Sequence, residues 1–473
     1  MALALGAGCA VGGLVAPSPW PLLGATAALA LAIPRRCVPL LWAGLFCLGI
    51  ALGVEEPLSG RAWQQLLLLR EVRGTVISMP ERHERTVSCV LRVPALEVRL
   101  LAYLPRELVP APGDTLRLVG SFEAPSGGWG GYLRRRGIAG VFWAEAAEVV
   151  ADAPGGITRA LHALRERLRA VLQRTWPGEA GSLAVALLLG SRGGLDRDLR
   201  EDFRRAGVAH LLALSGLHLG IIAYGLWRLL GMFRLRPGSR YPVLFLVIGL
   251  YIGLVGGRIS LVRAGIMFGF LGLFWVLWER GLVLRDWYDP LQGLSAAAIV
   301  VLLIWPWSAR DLGFQLSFAA TAGIVLGWPA WRDSPRRARL PRILRPPADL
   351  LWSSLCTQGA TLGFVGSAFG YISPFGALAN LVLIPWTGLI IWAGLSLLAV
   401  SPIGLAPALG QLAGRYLVAP YLALVEAIAG IPGAALPVGR HFGLWYAFAA
   451  LVLIAFWRTR GPYPPVRHPV PSR

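Results

Sequence analysis

The sequence predicts a polytopic α-helical membrane protein of about 10–11 transmembrane helices, with a five-stranded β-barrel domain inserted near its start. Three observations carry this reading. Hydrophobic residues make up 56% of the 473-residue chain and charged residues 15%, where roughly 25% charged is usual in soluble proteins, so too few polar side chains remain to cover aqueous cores. Uncharged apolar runs of roughly 15 to 27 residues recur, the signal of membrane-spanning helices. One long polar segment, residues 57–206, breaks that pattern and begins with strand-like alternation.

Residues 1–56 hold apolar runs at 20–33 and 38–54; the first 33 residues carry no positive charge, so they lack the basic start of a signal peptide and read as membrane anchor. Residues 57–152 alternate polar and apolar at 71–77, 86–93, 96–104, 115–122 and 141–150, five expected strands. The turn Pro112-Gly113-Asp114, leading into Leu116, Leu118 and the bulge-prone Gly120, suits a barrel of the oligonucleotide-binding (OB) type, which is five-stranded. Arg134, Arg135 and Arg136 fall in the expected turn before the last strand, a phosphate-contacting cluster or simply a solvated basic turn. In residues 153–206 the period changes: Ile157, Leu161, Leu164, Leu168 and Val171 step by four and three, while Arg159, Arg165, Arg167, Arg169 and Arg174 take other faces. This predicts amphipathic helices lying at the bilayer interface. Residues 207–457 supply spans at 209–227, 241–257, 264–278, 290–307, 312–331, 350–372, 374–400, 402–425 and 442–457, followed by a tail at 458–473.

Arginine groups at 35–36, 228–240, 332–345 and 458–460 fall on one side when these spans are threaded alternately. The excess of positive charge in short loops makes that side cytoplasmic and sets the barrel outside the cell membrane. The net charge is +20, and all 45 basic residues are arginine. GC-rich coding accounts for the missing lysine; an anionic partner accounts for it too, since arginine grips phosphate with a planar fork. Without lysine there is no Walker motif. The five cysteines have no paired spacing and the six histidines are scattered, so no metal site, cofactor, nuclease or ATPase motif is expected.

The densest polar signal is His210, Ser215, Gly216 and His218 in an otherwise apolar run. Ser215 and His218 are three apart and share a helical face, which allows a hydrogen bond between them. They fit interhelical packing, a pathway-lining or gating role, or the nucleophile and base of an intramembrane serine hydrolase, although no oxyanion hole is evident. Arg258 and Arg263 bracket Ser260; Asp311 and Gln315 open another run; Gln358 and Asn380 lie within two more. Polar groups in lipid usually face a bundle interior or a watery cavity. Asn380 is the sole asparagine of the chain, and Pro385 after it predicts a broken helix lining a cavity.

The run His210-Leu-Leu-Ala-Leu-Ser215-Gly-Leu-His218 resembles the signature of the ComEC family, the inner-membrane DNA-uptake channel of natural competence. Ser260-Leu-Val-Arg263-Ala264 through Met267, Gly313-Phe-Gln315-Leu-Ser317-Phe and Asn380-Leu through Pro385 resemble it as well, in family order. The outer segment is similar to the family's OB-fold domain. The resemblance implies a channel for single-stranded DNA, with a DNA receptor and a cytoplasmic motor or nuclease on separate chains. Many members continue into a metallo-β-lactamase-like domain; this chain stops at Arg473 without its metal ligands, so strand degradation is expected from another polypeptide. A secondary transporter of a small anion is the alternative function, and the hydrolase is the third.

Overall fold

The computed structural model describes residues 70–152, 155–235, 237–282, 290–439 and 441–449. The expected spans at 20–33 and 38–54, the tail at 458–473 and most of the expected span at 442–457 lie outside the described residues. The described chain is mostly helical and carries a closed five-strand barrel.

The barrel strands are β1 (Glu71–Val76), β3 (Thr86–Val93), β4 (Val98–Pro105), β5 (Thr115–Glu123) and β6 (Ile138–Ala151), with a two-residue strand β2 (Glu81–Arg82) appended to β3. β1 pairs antiparallel with both β3 and β5; β6 is antiparallel to β5 and parallel to β4, which closes the ring. Alternation dictates the interior: Val72, Val76, Leu91, Leu100, Leu104, Leu116, Leu118 and Phe142 are buried. Cys89 joins them, and burial pushes its thiol up to about 12. The expected bulge is present, with the β5–β6 register shifting between Val119 and Gly120, where Gly120 lies against the Trp143 carbonyl. Gly113 takes φ 96°, and the Asp114 carboxylate accepts the Ala111 N–H at 2.7 Å, fixing the turn.

One expectation fails between β5 and β6. The expected basic turn is a helix, α1 (Gly127–Arg135), despite four glycines in it. It is held by Tyr132 and Leu133 packing onto Val90, Leu101, Ile138 and Val141 on the outer face of the barrel. Tertiary burial has overridden weak local propensity.

Helix α2 (Ile157–Thr175) follows, then α3 (Glu179–Leu189) and α4 (Arg197–Arg205). α3 is buried along almost its whole length and forms the centre of the helical core. Its last carbonyls lack intrahelical partners. The Tyr251 hydroxyl donates to Leu188 O at 2.9 Å, Arg165 Nη2 to Leu189 O at 3.3 Å and Arg258 Nη2 to Gly190 O at 2.6 Å. That demand draws Arg165 of α2 inward, and Arg169 is buried one turn on beside Glu166: Arg165 is 1% and Arg169 5% exposed, so α2 does not present all its arginines on an outer face. Burial, then Arg169, pulls the Arg165 guanidinium down to about 10, and it stays charged at neutral pH.

Then come α5 (Gly216–Met232), α6 (Pro237–Leu254), α7 (Ile259–Glu279), α8 (Pro290–Ile304), α9 (Leu312–Arg332), the short α10 (Pro335–Arg339) and α11 (Arg345–Phe369). After the hairpin strand β7 (Tyr371–Ile372) run α12 (Gly376–Val400), α13 (Ala406–Ala413), a π-turn (Gly414–Val418) and α14 (Ala419–Ala429); β8 (Leu436–Pro437) pairs with β7. Four stretches are long and apolar enough to cross a membrane: Ser260–Glu279, Leu312–Arg332, Gly376–Ile403 and Ala406–Ala429. Helical residues 442–449 begin the last expected span. Two expected boundaries change. The span placed at 209–227 opens with a 3-10 turn, Ala209–Leu212, and becomes α-helical at Gly216. α12 runs through Pro385 unbroken, since a helix whose other turns are packed tolerates one missing N–H.

Consecutive packed helices alternate in direction, so α5, α7, α9 and α12 start at the same end of the helical layer. The barrel sits at that end. Arg258, the N-cap of α7, reaches Glu81 of β2 at 2.6 Å, and Gly193 between α3 and α4 lies against the Arg82 carbonyl. Arg82 in turn donates to Glu166 of α2 at 3.1 Å. The arginine-rich loops around Arg234 and Arg336 lie at the opposite end of the same helices.

Candidate functional site

The polar residues singled out in the sequence gather where α5, α7, α9 and α12 begin, and the structure divides them by whether their hydrogen bonds are already used. Ser215 is the N-cap of α5 in an extended conformation, yet its hydroxyl caps no backbone N–H. It lies 3.1 Å from His218 Nδ1 instead, the pairing that their spacing allows. Gly216 lets α7 approach, since a Cβ there would meet the Ala264 Cβ at 3.4 Å. Ser260 Oγ ties the two helix starts together by donating to Leu214 O at 2.9 Å.

Five of the singled-out residues are fully occupied by the fold. Arg258 clamps Glu81 and the Gly190 carbonyl, and Ser260 holds Leu214. Asp311 caps α9 by accepting from the Phe314 N–H at 3.0 Å. Gln315 donates to Ala309 O at 2.9 Å, and Gln358 to Ser373 O at 2.8 Å. These side chains build the frame around the helix starts.

Three others have polar atoms with no partner among the described residues. His218 is fully buried and its Nε2 is unpaired. Arg263, 3% exposed, leaves Nε and Nη1 unpaired while its guanidinium sits 5.0 Å from the centre of the Phe318 ring of α9. Asn380 Oδ1, in the second turn of α12, is likewise unpaired. A buried donor or acceptor without a partner costs about 1–3 kcal/mol, more when charged; His162, Arg165, Arg169, Trp176 and Ser308 carry such atoms as well, and what sets His218, Arg263 and Asn380 apart is their place in the first two turns of α5, α7 and α12. Helix starts also carry partial positive charge and free N–H groups, which attract anions.

The remaining residues sit at the edges. His210 is exposed in the 3-10 turn, and Pro385 is exposed on α12. Gly207, at φ 77°, brings that turn against α12: a Cβ there would fall 2.8 Å from the Ser373 Cβ and 2.9 Å from the Gly376 Cα. Arg134 and Arg135 end α1, with side chains outside the described residues; the Arg136 guanidinium lies 5.1 Å from the centre of the Tyr132 ring. No group of three or more potential metal ligands occurs among the described residues.

Sequence reasoning missed the Glu81–Arg258 clamp, which joins residues 177 positions apart and leaves no local trace. It also missed Tyr103, Trp129, Tyr132 and Trp143 on the barrel surface. Alternation within the expected strands was the available signal, because it places Tyr103 and Trp143 on outward faces.

A family model described as Competence protein matches residues 187–461. The chain is 26% identical to ComE operon protein 3 of Bacillus subtilis over 222 residues, 46% of this chain and 28% of that protein. It is 26% identical to Recombination protein 2 of Haemophilus influenzae over 270 residues, 54% of this chain and 33% of the relative. To Competence protein ComA of Neisseria gonorrhoeae it is 28% identical over 210 residues, 43% of this chain and 28% of the relative. The matches thus span about a third of these relatives' lengths. No solved structure matches. The matched region contains His218, Arg263 and Asn380, and with more than half of its length accounted for by the family model, the chain belongs to the competence protein family.

Proposed function

We propose that the chain is the channel that passes single-stranded DNA into the cytoplasm during natural transformation, with the barrel as an OB-like receiving domain on the outer face of the inner membrane. The observation that carries this reading is the set of unpaired, buried His218, Arg263 and Asn380 atoms in the first turns of α5, α7 and α12, of which α7 touches the barrel through its N-cap Arg258. Each nucleotide brings a full negative charge that hydrocarbon excludes, so its path must offer donors and positive potential. A resting pathway would hold such donors unpaired and let the strand satisfy them.

The OB-like assignment is supported by the strand order: three antiparallel strands in sequence, a parallel contact between β4 and β6, and closure through β5 onto β1. A DNA receptor delivering the strand and a motor or nuclease on other chains complete the reading, because the described residues offer no engine. The Ser215–His218 pair favours the hydrolase alternative by its 3.1 Å separation alone. Among the described residues no carboxylate is hydrogen-bonded to the ring to orient it as a catalytic base.

Orientation is tested by labelling with an impermeant maleimide. Single cysteines at the exposed Ser126 and Arg336, in an otherwise cysteine-free chain, are expected to label in intact cells at 126 only. Equal labelling at both positions defeats the assignment. Receipt of DNA by the barrel is tested by fluorescence anisotropy of full-length protein in detergent. Replacing Arg134, Arg135 and Arg136 together by Ser is expected to flatten the log-log salt dependence of single-strand binding by about 2, at about 0.7 per phosphate released. An unchanged slope removes these arginines from the interface, and the absence of any salt-dependent binding removes the receiving role.

A further inference from the structure

The outer face of the barrel is built unevenly. The parallel register of β4 and β6 sets Leu101 beside Val141 and Tyr103 beside Trp143, both pairs pointing outward. α1 covers the first pair through Leu133 and Tyr132. It leaves the second open: Tyr103 and Trp143 stack at 4.3 Å between ring centres and 13° between planes, with Trp143 42% exposed. The indole is fixed in place, since its Nε1 donates to Glu123 at 2.6 Å. On α1 itself Trp129, 52% exposed, stacks on Tyr132 at 5.3 Å and 18°, and Arg136 closes over the Tyr132 ring. His83, held 2.8 Å from Ser88 Oγ, walls the other side with its ring 5.9 Å from Tyr103.

We infer that this face is a stacking platform for the bases of single-stranded nucleic acid, with Trp143–Tyr103 and Trp129–Tyr132 as its two stacks. The inference rests on the proposed receiving role of the barrel and names what that site reads. Exposed flat rings in near-parallel pairs offer π-faces to any base, and a duplex, whose bases already stack on each other, cannot use them. Charge sorts the strand across the face. Glu123 beside Trp143 repels phosphate, whereas Arg136 beside Tyr132 attracts it, so bases lie over the indole and the backbone runs along α1. Burial pushes the Tyr132 hydroxyl up, as expected of a ring packed between α1 and the barrel. A lipid-interface role for the same rings fits the face less well, because the Glu123 carboxylate held by Trp143 is repelled by anionic headgroups.

The test measures binding of the full-length protein in detergent to a fluorescent oligothymidine and to an abasic strand of equal length, which has the same phosphates and no bases. Wild type is expected to favour the thymidine strand by tenfold or more. Trp143→Ala is expected to remove most of that preference while leaving the abasic affinity unchanged, Trp129→Ala to reduce it, and Trp143→Phe to keep it. Equal wild-type affinity for the two strands, or a loss in Trp143→Ala that falls equally on both, overturns the platform while the phosphate-binding barrel stands. Binding of neither strand overturns the barrel's receiving role itself. Reduced membrane abundance of Trp143→Ala with an undiminished preference for thymidine assigns the rings to the lipid interface and overturns the inference as well.

Discussion

Arg263→Ala and His218→Ala each reduce DNA uptake to the level of a deletion strain while leaving the protein at normal abundance in the membrane. The expectation follows from what these side chains lack. Arg263 is almost wholly buried, with two nitrogens unpaired and only the Phe318 ring against its guanidinium. A cation kept in that state contributes little to folding and carries a desolvation cost, so its removal does not unfold the protein. Its loss does remove a positive charge from the phosphate path. At about 4 Å and an effective dielectric near 20, one such contact is worth about 4 kcal/mol, roughly a thousandfold in occupancy.

His218 offers Nε2 to the strand while Ser215 fixes Nδ1, and a neutral or a protonated imidazole can donate there. A histidine that only packs gives a different pattern: His218→Ala loses abundance and His218→Gln restores it together with uptake. Uptake per cell, divided by membrane abundance from immunoblots, separates the two. Normal values of that ratio in both alanine variants would falsify the pathway assignment.

Trp176→Ala is expected to destabilise the helical region by roughly 3–5 kcal/mol, the usual cost of emptying a site filled by a large aromatic side chain. Trp176 ends α2 and is fully buried, the largest side chain so enclosed. The ring lies close to α12 and the π-turn: a Cβ at Gly394 would sit 3.5 Å from it and one at Gly414 3.6 Å, both at contact distance. The ring therefore packs the end of α2 against α12 and the π-turn. Thermal unfolding of purified protein in detergent is the measurement. Trp176→Phe should recover most of the loss, because the indole Nε1 has no partner to forfeit. A fall in midpoint of a degree or less for the alanine variant would show that the site relaxes freely.

Much of this molecule can be read from its sequence, and the exceptions share one cause. Strand β3 was expected at 86–93 and occupies Thr86–Val93, because alternation across a half-buried sheet is local information. The Ser215–His218 contact is likewise local. Arg165 and Arg169 read as an outward basic face, yet both are buried, and Arg165 donates to one of the last carbonyls of α3, a partner that the local pattern does not show. The segment of α1 read as a turn before the last strand; its helix depends on Val90 and Leu101, which lie in earlier strands of the barrel. Pro385 read as a break, yet α12 continues because its other faces are packed against partners elsewhere in the chain. The same limit applied to the site: the sequence named the polar residues, and only tertiary contacts separate Arg258, Ser260, Asp311, Gln315 and Gln358, which are spent, from His218, Arg263 and Asn380, which are not.

A single nitrogen, Arg258 Nη2, carries both the Glu81 carboxylate of the barrel and the Gly190 carbonyl that ends α3. Because one atom does both tasks, tilting the barrel away strains the end of the most deeply buried helix at the same instant. Arg258 is also the N-cap of α7, five residues before Arg263, so it works as a pivot pin. Any displacement of the barrel therefore meets the start of α7 through this one nitrogen, about one and a half helical turns before Arg263.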